Sequence, residues 1–322
     1  ALPISIDPDG AVTIWVSRTD MGQGTRTGMP MILAEELEVD LEDVHVVQAD
    51  GDEKYGHQLT GGSLSVRLMW DPLRRAGATA RTMLLRAASR RGDVDVEACR
   101  ARDGRVEHVP SGRSWSYAEL VETAARLDVP DENEVVLKDP ADYRLIGRSV
   151  GRLDNPDIVT GRARFGMDTR RPGMRFAAVA RCPVFGGRRP RDVDPSPAMR
   201  IDGVERVIGF DGTSDGLYLA DGIAVIARDT WSALQGAAAL EVAWQEGEKA
   251  GASTEQLRET FRRRAEESGE VLREDGDVEA ALASAAQVVE SSYELPFLAH
   301  APMEPMNCTI DLRGDRCEIW TP

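Results

Sequence analysis

Residues 21–25, Met21-Gly22-Gln23-Gly24-Thr25, lie between a β-branched run and an apolar helical pattern. Two glycines let a backbone approach a ligand closely, and the amides at a helix start favour an anion. Gln23 adds a neutral donor and acceptor able to read the edge of a heterocycle. The spacing is not GxGxxG, and it lacks the lysine of a P-loop. Gly61-Gly62-Ser63-Leu64-Ser65 repeats the arrangement, with two hydroxyls that could cradle a phosphate. An ordinary tight turn and a helix N-cap account for the same residues. The third place is residues 297–305, where Pro302 and Pro305 stiffen the backbone around Glu304. A carboxylate beside Phe297, His300 and Met303 reads as a polar group at an apolar pocket, or as a structural glutamate held by backbone amides.

These residues need elements to hold them. Residues 11–17 (AVTIWVS) alternate as a strand, and 29–39 carry a helical pattern with Pro30 suited to a first turn. Residues 44–48 read as a strand. Residues 65–90 read as a long helix, with Pro72 near its start. Ser116 and Glu119 form a capping box that opens a helix to about residue 127. Residues 130–152 are polar and aperiodic, as a linker would be. Beyond them, short strands are expected at 164–165, 174–181, 204–210, 222–228, 240–244, 287–294, 308–312 and 318–320. Helices are expected at 230–239, capped by Thr230, and at 254–268 and 277–285. The class is α+β (mixed α/β).

A chain of 322 residues, 42% hydrophobic and 29% charged, suffices for about two domains with a sizeable core. The net charge of −16 argues against nucleic acid or an anionic membrane as the main partner. No apolar run approaches the ~20 residues a transmembrane helix needs. Charge is nonetheless blocky: residues 35–53 hold nine acids and no Lys or Arg, and 162–191 hold nine Arg and one acid. Such blocks read as solvated faces, and so do the pairs Glu35–Glu36 and Glu266–Glu267. Cys99, Cys182, Cys308 and Cys317 have no metal spacing and read as buried free thiols, although Cys308 and Cys317 flank a hairpin turn and could face each other across it. No iron–sulfur or structural zinc set is present, and Ser63 has no His–Asp pattern to activate it.

Five segments occur in a recognisable order: Asp20-Met21-Gly22-Gln23-Gly24, Thr60-Gly61-Gly62-Ser63, residues 154–168 (DNPDIVTGRARFGMD), residues 181–187 (RCPVFGG) and residues 299–308 (AHAPMEPMNC). Together they resemble the large, molybdopterin-binding subunit of the xanthine dehydrogenase and aldehyde oxidase family, in particular the branch of isoquinoline 1-oxidoreductase beta subunits. The resemblance covers nearly the whole chain. It implies a partial molybdopterin-binding domain over 1–140, a linker over 141–153, an α/β hammerhead domain over 154–270, and the start of a second molybdopterin-binding region over 271–322.

The resemblance also implies roles. Met21, Gly22, Gln23 and Gly24 would contact the pterin or its nucleotide extension. Gly61, Gly62, Ser63 and Ser65 would hold the cofactor phosphate. Phe185, His300, Met303 and Glu304 would lie about the substrate pocket. The cofactor would be molybdopterin as a cytosine dinucleotide, with no iron–sulfur cluster, metal ligand or catalytic residue on this chain. The implied partners are an iron–sulfur small subunit, the remainder of a large subunit and a small-molecule substrate. The implied reaction is hydroxylation by water of an electron-poor ring carbon or an aldehyde carbon. The family's glycine- and phenylalanine-rich loop and its terminal Gly-x-Gly-Glu general base have no counterpart here. The expectation is therefore a chain inactive by itself, whose last hairpin exposes an edge for a partner strand. A non-catalytic cofactor-binding or assembly protein is the alternative. Cytoplasm and periplasm both stay open.

Overall fold

The computed structural model describes residues 3–213 and 219–322. The chain forms two compact units, Ala1–Thr169 with Ala299–Pro322, and Arg170–Leu298.

In the first unit, β1 (Ile4–Ile6), β2 (Val12–Val16) and β3 (Val44–Gln48) form a sheet in that order, β1 antiparallel and β3 parallel to β2. The period-two pattern of β2 turns Val12, Ile14 and Val16 into the core. A parallel pair needs a crossover, and α1 (Thr25–Leu37) provides it. This helix starts four residues before the expected Met29, so Pro30 lies inside it rather than in its first turn. The reason is Asp20, whose carboxylate receives the Gly24 and Arg26 amides and so ties down the extra turn. α2 (Ser65–Gly92) lies against α1, with Leu73, Ala76 and Leu84 meeting Met29, Leu33 and Leu37 in one core. Gly77 marks their closest approach, because a Cβ there would stand 2.5 Å from the Leu33 carbonyl.

The strands β4 (Cys99–Arg102), β5 (Arg105–His108) and β6 (Arg113–Ser116) form an antiparallel meander that charged, weakly alternating sequence does not announce. Cys99, Val106 and Trp115 carry much of its burial. The expected capping box of Ser116 and Glu119 opens α3 (Tyr117–Ala124).

Two expectations fail here for one reason. Glu35 and Glu36 are not solvated but among the most buried side chains in the protein. Residues 130–152, though lacking α-helix or strand and holding only two short 3-10 turns, are fastened to them. Glu35 accepts from Lys138 Nζ and from the Arg144, Leu145 and Ile146 amides. Glu36 accepts from Arg74, Arg81 and the Lys138 amide. A carboxylate can enter a core when every lone pair finds a donor, and the polar strap supplies donors that sequence spacing more than a hundred residues away does not reveal. The short helix α4 (Asn155–Val159) follows.

The second unit has β7 (Phe176–Ala180), α5 (Ser196–Met199), β8 (Val204–Phe210), β9 (Gly222–Ala227), α6 (Thr230–Ala239), α7 (Thr254–Ala265) and α8 (Val278–Ser284). The sheet order is β7-β9-β8, all antiparallel, with β9 central and buried. Asp229, not Thr230, caps α6, through the Ser232 amide. Residues 164–165, 240–244 and 287–294 are not strands. The last of these is exposed along its whole length, and apolar residues without a neighbouring strand have no ladder to join. The chain then returns to the first unit as the hairpin β10 (Thr309–Arg313) and β11 (Arg316–Trp320), a two-stranded sheet. All four cysteines are free thiols, but only Cys99 is buried; Cys308 and Cys317 are exposed, and Leu312, not Cys308, stands opposite Cys317.

Candidate functional site

The two glycine loops are stitched side by side. The Thr19 amide donates to Thr60 Oγ1 at 3.0 Å, and Arg18 Nη1 donates to the Leu59 carbonyl and to His57 Nδ1. Segments about forty residues apart in sequence thus present Gly22–Gly24 and Gly61–Ser65 from one region of the first unit.

In the first loop the anion-attracting amides already have an anion. Asp20 Oδ1 accepts from Gly22 and Gly24, and Oδ2 from Arg26. Burial pushes the Asp20 carboxyl up, but the Arg26 and Gly22 amides, the Arg152 charge and the Gly24 amide more than reverse this, so its pKa lies below the ordinary value. Gln23, though exposed, folds back onto its own loop, with Oε1 accepting from the Met21 amide at 2.5 Å and Nε2 donating to the Thr19 carbonyl at 3.0 Å. Arg152 closes the loop from the polar strap, donating to the Gly22 carbonyl at 3.2 Å and to Asp20 at 3.4 Å. Gly22 and Gly24 have positive φ and nothing within 4 Å of a would-be Cβ, so this preformed backbone is open to a ligand.

The second loop differs. Gly62 and the non-glycine Ser63 both have positive φ, 60° and 57°. Space beside Gly61 is open to 4 Å, and no side chain caps α2. The Ser63 and Ser65 hydroxyls have no hydrogen-bond partner among the described residues. This donor set, amides at a helix start plus two hydroxyls, suits a phosphate group. The first loop fits a polar heterocycle edge rather than a phosphate, because Asp20 holds its amides.

Glu304 is half-buried in the first unit, its Oε1 accepting from the Met167 amide at 3.0 Å and from Asn307 Nδ2 at 2.9 Å. That bond joins residues 154–168 to residues 299–308. Met303 is 95% exposed and His300 is exposed, so no closed apolar pocket surrounds the carboxylate within this unit. Phe185 belongs to the second unit, exposed, with the Lys249 ammonium 4.3 Å from its ring centre. Phe297 is there too, edge-on to Phe261. A cavity of about 500 Å³ in the first unit, between α2 and the strap, is lined by Ser17, Met69, Pro72, Arg75 and Val129; none of the expected site residues lines it. No His/Cys/Asp/Glu cluster able to hold a metal ion occurs among the described residues. Arg18, Asp20 and Arg152, which hold the two loops in place, were not singled out by the sequence. Asp20 carried a signal, an acid two residues before a glycine with a turn to follow.

The chain is similar to known proteins. Residues 1–160 match one molybdopterin cofactor-binding domain model and residues 263–322 a second. A nicotinate dehydrogenase subunit of Pseudomonas putida is 31% identical across this entire chain, which spans 27% of that protein. The membrane-bound aldehyde dehydrogenase [pyrroloquinoline-quinone] of Gluconacetobacter polyoxogenes is 30% identical over 94% of the chain and 40% of its own length. The beta subunit of isoquinoline 1-oxidoreductase from Brevundimonas diminuta is 29% identical over 98% of the chain and 46% of its own length. The chain therefore spans between about a quarter and a half of the length of these relatives. With two cofactor-domain models covering about two thirds of its residues, the chain belongs to the molybdopterin cofactor-binding family.

Proposed function

We propose that this chain holds the molybdenum cofactor, as a cytosine dinucleotide, for an oxidoreductase acting on N-heteroaromatics or aldehydes with water as the oxygen source. The observation that carries the reading is the pairing of the two glycine loops through Thr19 and Thr60, one loop preformed and open, the other with free donors. When bound, the cofactor supplies the two-electron oxidation of an electron-poor carbon. The protein supplies position. The Gly61–Ser65 amides with the Ser63 and Ser65 hydroxyls hold phosphate oxygens, and the Met21–Gly24 backbone meets the organic part, with Gln23 fixing the loop. Met303 and His300 are the exposed side chains of the first unit that would meet substrate. Glu304 ties residues 166–168 to residues 304–307 through the Met167 amide and Asn307.

Proposed partners are an iron–sulfur small subunit and further large-subunit sequence, which would cover Met303, Met306, Ile310 and Leu312, all more than half exposed. By itself the chain is expected to bind cofactor without turnover. The test is to produce it with molybdate and assay bound molybdenum and released cytidine phosphate, then turnover of isoquinoline and of an aldehyde with and without a cofactor-loaded remainder. Absence of molybdenum with retention of pyrroloquinoline quinone would refute the cofactor assignment. Cofactor binding that never supports turnover with any remainder would favour a carrier or assembly protein.

A further inference from the structure

Arg18 is only 2% exposed and is the largest of the fully buried side chains. Its guanidinium is charged at any working pH, and removing such a charge from water costs several kcal/mol unless an opposite charge faces it. The other deeply buried charges of this unit obey that rule: Glu35 faces Lys138, and Glu36 faces Arg74 and Arg81. Arg18 breaks it. Nη1 donates only to neutral acceptors, the Leu59 carbonyl and His57 Nδ1, and Nε has no partner. Among the described residues no carboxylate pairs with it. Asp20, close in sequence, is held by three amides and by Arg152.

The orphan charge lies where donors already gather. Its guanidinium reaches the Leu59 carbonyl, two residues before Gly61 in the segment that leads into α2, whose Ser63 and Ser65 hydroxyls have no partner among the described residues. The turn above it is itself exposed, Leu59 by 68%. A forked cation, helix-start amides and two hydroxyls form a set richer in donors and charge than a carboxylate requires; it matches a multiply charged tetrahedral oxyanion.

We propose that Arg18 is the counter-charge for a phosphate group bound between the two glycine loops. Building on the function proposed above, that group is the cofactor's phosphate, reached when the turn at His57 and Leu59 shifts; a free diphosphate offers the same chemistry.

The test uses the full chain in phosphate-free buffer, titrated with inorganic pyrophosphate and, separately, with molybdopterin, followed by melting temperature and calorimetry. Wild type is expected to bind molybdopterin and to melt higher with it. Arg18→Met is expected to lose about tenfold or more in affinity, yet to melt no lower than wild type without ligand, because the orphan charge is gone. Arg18→Lys should recover part of the affinity. A pyrophosphate response that Arg18→Met abolishes supports the anion site, and if molybdopterin then binds both variants equally, the site serves a free diphosphate and only the link to the cofactor falls. Equal affinity of wild type and Arg18→Met for both probes would overturn the inference while leaving cofactor binding intact. So would an Arg18→Met chain, without ligand, melting well below wild type and restored by Arg18→Lys, which marks a structural arginine. No response of wild type to either probe would sink both this inference and the cofactor reading.

Discussion

Glu36 sits in the core with Arg74 and Arg81 both against it, at 2.7 and 3.0 Å. Replacing it by Gln leaves two nearly buried guanidinium groups facing no charge. Glu36→Gln is expected to lower unfolding free energy by about 3–5 kcal/mol, measured by urea denaturation. Glu35 predicts a pH dependence. Burial pushes its carboxyl up, but Lys138 and the Ile146, Leu145 and Arg144 amides outweigh that and leave its pKa below the ordinary 4.5. A carboxyl depressed in the folded state stabilises fully above its unfolded pKa, and that contribution is lost as pH falls through the folded value. Stability of the first unit should therefore decline as pH drops below about 4.5, and Glu35→Gln should flatten that acid limb. An acid limb of unchanged slope in Glu35→Gln would place the proton uptake elsewhere.

At the scale of elements, the contact between α1 and α2 depends on Gly77. A methyl group there meets the Leu33 carbonyl and the Glu36 Cβ, at 2.5 and 2.9 Å, and neither is the free end of a flexible chain. Gly77→Ala is expected to destabilise by about 1–3 kcal/mol despite alanine's better helix propensity. Ser116→Ala, removing the capping box of α3, should lose about 1 kcal/mol and leave cofactor binding unchanged. The hairpin β10–β11 contrasts with both. A two-stranded ribbon with Ile310, Leu312 and Ile319 exposed has little to hold it. Its amides should exchange with deuterium well before those of β2, and a bound partner should slow them.

Across the whole molecule, burial is uneven. The first unit has a continuous core from β2 through α1, α2 and α3, whereas residues from 251 to 301 are almost wholly exposed, with Leu272, Tyr293 and Leu295 about nine-tenths exposed. A monomer rarely leaves that much apolar side chain in water, and such surface marks a place where another chain or segment packs. The isolated chain is accordingly expected to bind a hydrophobic dye such as ANS, and to lose that signal when its partner sequence is added. Dye binding that persists in an active assembly would count against coverage of this region.

Local chemistry was legible without tertiary structure. The alternation in VTIWV, the capping box at Ser116 and the order of the DMGQG, TGGS and APMEP segments identified strands, a helix start and a cofactor family, because each is a short-range pattern carried by side-chain type. What the fold alone decided was the pairing of distant groups: Glu35 and Glu36 buried by the strap at 136–146, Asp20 filling the first loop's amides, Thr19 joined to Thr60, and Arg18 left without an anion. The sign of each of those interactions depends on burial and on a partner tens of residues away. Neither is encoded in local spacing, and both appear only when the chain closes on itself.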